Sequence, residues 1–264
     1  MQLVHLRPDH LRGLMELKAA AHWNQTEDDW LRIMRLAPEG CFGFDFEGRI
    51  VASATSIRYG QCLAWIGMVL TLPEFRGRGL ARRLMEHVLQ LSRNTEAVRL
   101  DASDMGKALY ASLGFVDECP IERWVREPGA VAGPSLSAAR IDPVLDREVF
   151  GADRSALLAE LAQHESASSR RGYAFARPGS NYHFFGPCVA ETQADARTLI
   201  EWFLGRHGDQ PTAMDLFPHH EDAVALAPEY GFAPVRHLTR MVLSPTPPAS
   251  PDPRIYSGAG FEFG

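Results

Sequence analysis

Apolar positions along this chain fall into two patterns, and their order predicts a mixed sheet covered by helices. Unbroken or alternating apolar runs predict strands at 3–6, 41–46, 49–59, 62–72, 97–102 and 115–126. Apolar residues at helical spacing predict helices at 8–22, 80–91 and 105–113. One more helix begins at Thr26, where Asp29 completes a capping-box pattern, and ends before Pro38. The predicted order is strand, two helices, three strands, helix, strand, helix, strand.

A change in composition predicts a boundary after this first set of elements. Residues 128–137 (PGAVAGPSLS) contain small residues, prolines and glycines without a bulky aromatic, which is typical of a linker. Beyond it the patterns predict helices at 153–164 and 194–206 and strands at 173–176, 182–190 and 213–217. The sequence therefore predicts two domains, 1–127 and 138–264.

The second domain repeats part of the first. Residues 97–125 align with 213–243 when one residue is shifted before a shared Gly-Phe pair, and both predict a strand, a short helix, a turn and a long strand. Residues 244–253 (SPTPPASPDP) then predict an extended Pro-rich segment, and 254–263 are expected to add an edge strand to either half.

Composition narrows the classes of function. The 264 residues include 45% apolar and 23% charged residues, as expected for a globular protein with a substantial core. A net charge of −6 argues against a nucleic-acid partner, because backbone phosphates need a broad basic face. Four scattered cysteines without a CxxC pair favour a reducing cytoplasm over a zinc site or disulfide framework. No apolar run reaches the ~18 residues of a membrane helix, so no membrane association is expected.

The locally basic stretch lies between the strand at 62–72 and the helix at 80–91, and reads Arg76-Gly77-Arg78-Gly79-Leu80-Ala81. The first NH groups of a helix lack partners and carry the positive end of its dipole, so they favour an anion. Glycine lets a phosphate approach the backbone, and Arg82 and Arg83 add positive charge. The pattern predicts a phosphate cradle, although a turn that only joins strand to helix is the alternative.

The spacing distinguishes among phosphate sites. GxxxxGK[ST] is absent and a dinucleotide fingerprint needs three glycines, but Arg76, Gly79 and Ala81 match [QR]xxGx[GA]. This run resembles the acetyl-CoA signature of the GNAT acetyltransferases. Residues 104–115 (DMGKALYASLGF) are similar to the family pattern NxxxxxYxxxGF, with Asp104 where asparagine is usual. The resemblance covers residues 1–126.

The whole chain resembles a GNAT subgroup with a divergent second unit. This implies an α/β (α+β) fold of tandem GNAT-like domains, each a mixed, mostly antiparallel central sheet flanked by helices. In the second unit, the connection 192–195 (TQAD) has no glycine, and Asp195 opposes a phosphate. Acetyl-CoA is therefore expected as acyl donor only in the first unit.

The resemblance implies roles for particular residues. Main-chain groups of Val69, Leu70 and Thr71 are expected to hold the pantetheine arm. Seven cradle residues are expected to contact the phosphates: Arg76, Gly77, Arg78, Gly79, Leu80, Ala81 and Arg82. Tyr110 lies where the family places a general acid. A phenol suits that role because it can protonate a leaving thiolate. Its alternative role is that of a core aromatic.

The sequence offers several candidates for the general base and for the residues that bind the acceptor. His22, Glu27, Asp28 and Asp101 are candidate general bases; we name Asp101, which alternatively caps the helix that follows it. Trp23, Asn24 and Gln25 lie on the interhelical loop that overhangs the acceptor in GNAT-like folds. We expect them to bind substrate, although Trp23 alternatively packs the two helices together.

The sequence predicts an enzyme that moves an acetyl group from acetyl-CoA to a primary amine of a small metabolite or peptide, by direct transfer. The alternative is a non-catalytic acyl-CoA-binding sensor or scaffold. His219-His220-Glu221 lacks the HExxH spacing, so no metal is expected. The oligomeric state is left open between monomer and dimer.

Overall fold

The N-terminal half follows the predicted order of elements in the computed structural model, which describes residues 1–246 and 250–264. Its strands are β1 Gln2–His5, β2 Cys41–Phe46, β3 Arg49–Tyr59, β4 Leu63–Thr71, β5 Ala97–Ala102 and β6 Val116–Arg126. Its helices are α1 Leu11–Ala20, α2 Glu27–Leu36, α3 Leu80–Leu91 and α4 Asp104–Ser112. The predicted capping box of Thr26 and Asp29 is confirmed, with both reciprocal bonds present.

The second half contains two elements that the patterns did not predict, α5 Pro143–Phe150 and β7 Glu165–Ser169. The others are α6 Ser155–Leu161, β8 Gly172–Arg177, β9 His183–Ala190, α7 Gln193–His207, β10 Thr212–Leu216, α8 Glu221–Glu229, β11 Ala233–Leu243 and β12 Ile255–Ser257. β7 is polar because it lies at the end of the sheet and pairs only with β8. Residues 247–249 of the predicted Pro-rich segment lie outside the described residues. Within the described ranges, no helix is long and apolar enough to cross a membrane.

One continuous sheet joins both halves, and the last long strand of each half lies in the other half's sheet. The order is β1-β2-β3-β4-β5-β11-β6-β10-β9-β8-β7. β11 pairs antiparallel with β5, β6 pairs antiparallel with β10, and β6 and β11 pair with each other in the middle. The two structural units therefore exchange strands, so neither unit consists only of the residues before or after the predicted linker at 128–137.

The tail after β11 returns to the centre of the molecule. β12 pairs with β9 of the second half, as a shorter strand than the predicted 254–263. Residues 258–264 then pack against β3 and β4 of the first half. The hydroxyl of Tyr59 donates to the carbonyl of Phe263 (2.8 Å), and the Trp65 indole NH donates to that of Phe261 (3.0 Å). The tail thus contacts both units where they meet.

Two stacked imidazoles lie between β9 and α7. The rings of His183 and His207 are 3.6 Å apart at an interplanar angle of 12°. Burial, together with the charges of His207, His164 and Arg177, lowers the pKa of His183 to about 4. A proton on His183 is therefore more costly in the folded protein than in the unfolded chain.

The lowered pKa of His183 predicts that the free energy of unfolding depends on pH. An unfolded histidine titrates near ~6.5, so between that pH and about 4 the unfolded chain binds the extra proton and stability falls as pH falls. Replacing His183 with phenylalanine should make the decline in the free energy of unfolding between pH 6.5 and 5 shallower, as measured by urea denaturation. The exposed His219→Gln variant should keep the wild-type slope; equal slopes in all three proteins would contradict the assignment.

Candidate active site

A gap opens in the sheet where β4 and β5 diverge. The two strands pair in parallel only from Leu63 with Ala97 to Trp65 with Arg99. Beyond that point, a bulge in β4 shifts its register against β3, and Met68 has a φ of +50°. The Ser53 hydroxyl donates to the Met68 carbonyl (2.7 Å) and supports the bulge. Because a bulge bends and twists its strand, β4 turns away from β5, and no described strand pairs with residues 66–71 on that side.

The Gly-rich turn lies directly beyond this gap. Gly77 and Gly79 both have a φ of +73°, and a Cβ atom on either would meet nothing within 4 Å. Gly79 is the N-cap of α3 and supplies no side-chain bond, so the first NH groups of the helix are uncapped by a side chain. The turn is therefore open, and its uncapped NH groups suit the oxygen atoms of a phosphate group.

The arginines of the turn are exposed and held by neighbouring oxygen atoms. Arg76 Nε donates to the Thr71 carbonyl (3.3 Å), and Arg78 donates to that of Glu74 (3.0 Å). Arg82 donates to the Ser112 hydroxyl (2.6 Å) at the end of α4. These bonds keep positive charge beside the uncapped helix end. The residues present therefore fit the phosphates of a CoA thioester.

Tyr110 reaches the same gap from α4. Its ring is 8% exposed and packs edge-on against Phe115, with ring centroids 6.2 Å apart. Gly106 makes room for it, since a Cβ there would lie 2.7 Å from the tyrosine ring. The hydroxyl forms no hydrogen bond within the described part of the chain, and burial raises the pKa of Tyr110 to about 12. Tyr110 is therefore a protonated phenol at neutral pH, lining the pocket with β4 residues 66–69.

Asp101 also lines the pocket, but each of its carboxylate oxygens is bonded to Arg240. It accepts hydrogen bonds from Nε (2.9 Å) and Nη2 (3.0 Å) of Arg240, and its side chain is 0% exposed. Burial raises the pKa of Asp101, and the Arg240 charge opposes that rise. The N-cap of α4 is Ser103, so Asp101 does not cap that helix. A proton on Asp101 would leave the Arg240 charge uncompensated, so the ion pair disfavours the predicted role of Asp101 as general base.

The other candidate bases lie elsewhere. His22, Glu27 and Asp28 are exposed around the start of α2, and none of them lines the pocket. His22 lies in the turn after α1 with a φ of +55°. The structure does not bring these three side chains to Tyr110.

Asn24 and Gln25 fasten the α1–α2 loop to the second half. The Asn24 side-chain oxygen accepts from the backbone NH groups of Asn181 and Tyr182, both at 2.9 Å, and its amide donates to the Tyr182 carbonyl (3.1 Å). Gln25 donates to the Glu262 carboxylate (2.6 Å). Both residues are buried, so their amides hold the loop in place rather than facing the pocket.

Trp23 does line the pocket, together with three residues of the second half that the sequence patterns did not indicate. These are Arg236 and Leu238 on β11, and Phe261 on the tail. They arrive through the strand exchange and the return of the tail, and neither event has a signal in the hydrophobic pattern. The acceptor side of the gap is thus walled by the second half of the chain.

The equivalent gap in the second unit is filled by the chain itself. β9 and β10 pair in parallel only from His183 to Phe185, and β12 then pairs with β9 at Cys188 and Val189. At the start of α7, the Thr192 side chain accepts from the Asp195 NH and caps the helix. Among the described residues, the open gap with a glycine turn is therefore the one in the first unit.

Comparisons with known proteins agree with this architecture. Models described as the acetyltransferase (GNAT) family and the acetyltransferase (GNAT) domain match residues 9–115 and 143–257. The uncharacterised N-acetyltransferase YitH of Bacillus subtilis (strain 168) is 25% identical over 251 residues, which span 88% of this chain and 87% of that protein.

Solved structures share the fold over the whole chain. A Pyrococcus horikoshii protein assigned as an acetyltransferase superposes with a TM-score of 0.86 at 19% identity, covering 100% of this chain and 95% of its own. A tandem GNAT protein from the clavulanic acid biosynthesis pathway gives 0.64 at 17% identity, covering 94% and 99%. With one match in each half, this chain belongs to the GNAT superfamily as a protein of two GNAT units.

Proposed function

We propose that the first unit transfers an acetyl group from acetyl-CoA to a primary amine of a small metabolite or peptide. The observation that carries the proposal is the combination of three features around the gap between β4 and β5: the uncapped glycine turn that follows β4, the free edge of β4, and Tyr110 in the pocket lined by β4 residues 66–69. Membership in the GNAT superfamily supports acyl transfer in general.

The donor is held mostly by main-chain groups in this proposal. The NH groups at the start of α3 and the side chains of Arg76, Arg78 and Arg82 face the phosphates, and the residues from Gly77 to Ala81 shape the cradle. The free edge at Val69, Leu70 and Thr71 pairs with the amide groups of the pantetheine arm as a neighbouring strand would. A backbone NH of this edge polarises the thioester carbonyl.

Transfer then requires a neutral amine in line with the carbonyl and a proton for the departing thiolate. The C–S bond breaks as the C–N bond forms, Tyr110 donates its proton to the sulfur, and the resulting phenolate regains a proton from water. Among the described lining residues, Asp101 is the carboxylate and it is already paired with Arg240. The amine therefore loses its proton to water rather than to a side chain of the pocket.

Calorimetry with acetyl-CoA, followed by a thiol-release assay over a panel of amines, tests the proposal. The wild-type protein should bind acetyl-CoA and release CoA with at least one class of amine. Binding without release over a broad panel would favour the alternative, a non-catalytic acyl-CoA sensor or scaffold. Failure to bind acetyl-CoA would overturn both.

Introducing an aspartate into the glycine turn tests the proposed phosphate site, and the same substitution at another glycine serves as the control. Gly79→Asp should weaken acetyl-CoA binding by about tenfold or more, since two like charges 4 Å apart repel by about 1–4 kcal/mol near a protein surface. Gly48→Asp introduces the same side chain at another positive-φ glycine with open space, on the β2–β3 turn, and should leave binding unchanged. Equal affinities in the two variants would place the phosphates elsewhere.

A further inference from the structure

Arg236 places a cation on the acceptor side of the pocket. It lies on β11 where the register against β6 shifts between Pro234 and Arg236, and such irregularities re-aim side chains. Its guanidinium carbon is 5.5 Å from the centroid of the Trp23 ring and 5.9 Å from that of Phe261. The side chain is half-buried and lines the same pocket as Tyr110.

Unlike the buried arginines near it, Arg236 has no carboxylate partner among the described residues. Three buried arginines in the same region each bind a carboxylate: Arg123 with Asp215 (2.8 Å), Arg240 with Asp101 (2.9 Å) and Arg177 with Glu262 (2.8 Å). The guanidinium of Arg236 forms no hydrogen bond and no ion pair with any residue in 1–246 or 250–264. Burial lowers the pKa of Arg236, the charge of Arg123 lowers it further, and the charge of Asp215, which is already paired with Arg123, raises it. A half-buried cation of this kind gains free energy when an anion joins it.

The chemistry of the side chain indicates the kind of anion. A guanidinium presents parallel NH groups that match a carboxylate bidentately, and the two aromatic rings limit the water that competes for those bonds. The same positive charge repels an acceptor that carries a second ammonium group at this position.

We propose that the acceptor is a primary amine that also carries a carboxylate, and that Arg236 binds this carboxylate. Free amino acids and peptides that present their terminal carboxylate belong to this class, whereas polyamines do not. Arg236 is then a specificity-determining residue rather than a catalytic one. This inference rests on the proposed acetyltransferase function, because it assigns the acceptor of the same pocket.

The test uses free amino acids and dipeptides, each compared with its carboxamide and its decarboxylated amine. The wild-type protein should favour the carboxylate form in kcat/KM. Arg236→Met, which keeps the apolar stem, should raise KM for that form by about 10–100-fold, since a hydrogen bond to a charged group contributes about 1.5–3 kcal/mol. Arg236→Lys should restore part of the loss, and the exposed Arg58→Met should have no effect.

The outcomes separate this inference from the function on which it rests. A wild-type protein that acetylates carboxamides and decarboxylated amines as well as the parent acids would overturn the inference and leave the acetyltransferase function intact. Loss of all acceptors equally in Arg236→Met, at unchanged acetyl-CoA affinity, would also overturn it. If no amine supports thiol release, calorimetry measures whether the same compounds bind. Selective binding of the carboxylate forms that Arg236→Met abolishes would support the Arg236 site. Binding without selectivity for the carboxylate, or no binding, would reject that site.

Discussion

Replacing Tyr110 with phenylalanine is expected to lower kcat for acetyl transfer by about 10²–10⁴-fold, the range that a positioned general acid contributes. Affinity for acetyl-CoA should change little, because the proposed donor contacts lie on β4 and the glycine turn. Phenylalanine keeps the packing against Phe115 and removes only a hydroxyl that has no partner among the described residues. Steady-state thiol release and calorimetry on the same preparation measure the two quantities separately.

Tyr256 supplies a matched control for this substitution. It is also a buried tyrosine whose pKa burial raises to about 12, but it lies on β12 in the second unit, outside the pocket. Tyr256→Phe should retain wild-type turnover. If Tyr110→Phe retained it as well, Tyr110 would be a core aromatic, and the proton for the thiolate would have to come from water.

The elements that the sequence predicted are those whose pattern is set within one stretch of chain. α3 follows Gly79 and shows its apolar positions at helical spacing, so its start and its face were both predictable. β7 was missed because a strand with a single neighbour buries little, and its Glu-Ser-Ala-Ser-Ser run has no apolar alternation. α5 was missed although Asp142 caps it and Pro143 starts it, because its apolar face is short.

The strand exchange was beyond prediction for a different reason. β6 and β11 occupy equivalent places in the two repeats, so their patterns cannot tell which of them pairs with β5 and which with β10. The tail carries the same ambiguity, since its strand fits the free edge of either unit. Arg236 and Phe261 reach the pocket through these two choices, and for that reason sequence reasoning omitted them.

Some polar residues near the site were predicted to be functional but have structural partners instead. Asn24 and Asp101 have side chains suited to binding or catalysis, and the sequence does not reveal that each has a partner far along the chain. Asn24 bonds to residues 181 and 182, and Asp101 bonds to Arg240. Residues 76–81 do form the predicted glycine turn at the start of a helix, because a short motif determines that backbone shape, while their binding of phosphate stays a prediction.

Replacing Asp101 with asparagine is expected to destabilise the protein by about 3–5 kcal/mol, the cost of leaving a buried charge without its partner. Arg240 is 7% exposed, its guanidinium packs over the Trp65 and Phe217 rings, and Asp101 holds it through two hydrogen bonds. Because the pair joins β5 to β11, the loss should appear in the global unfolding transition. Urea denaturation of Asp101→Asn against wild type measures it.

A double substitution distinguishes the ion pair from a catalytic carboxylate. Asp101→Asn combined with Arg240→Met removes both charges, so it should recover much of the stability that the single variant loses. If Asp101 serves only the ion pair, the folded double variant should also recover thiol release, since Tyr110 and the glycine turn are untouched. A double variant that regains stability but stays inactive would instead return Asp101 to the role of general base, and the amine would then lose its proton to that carboxylate rather than to water.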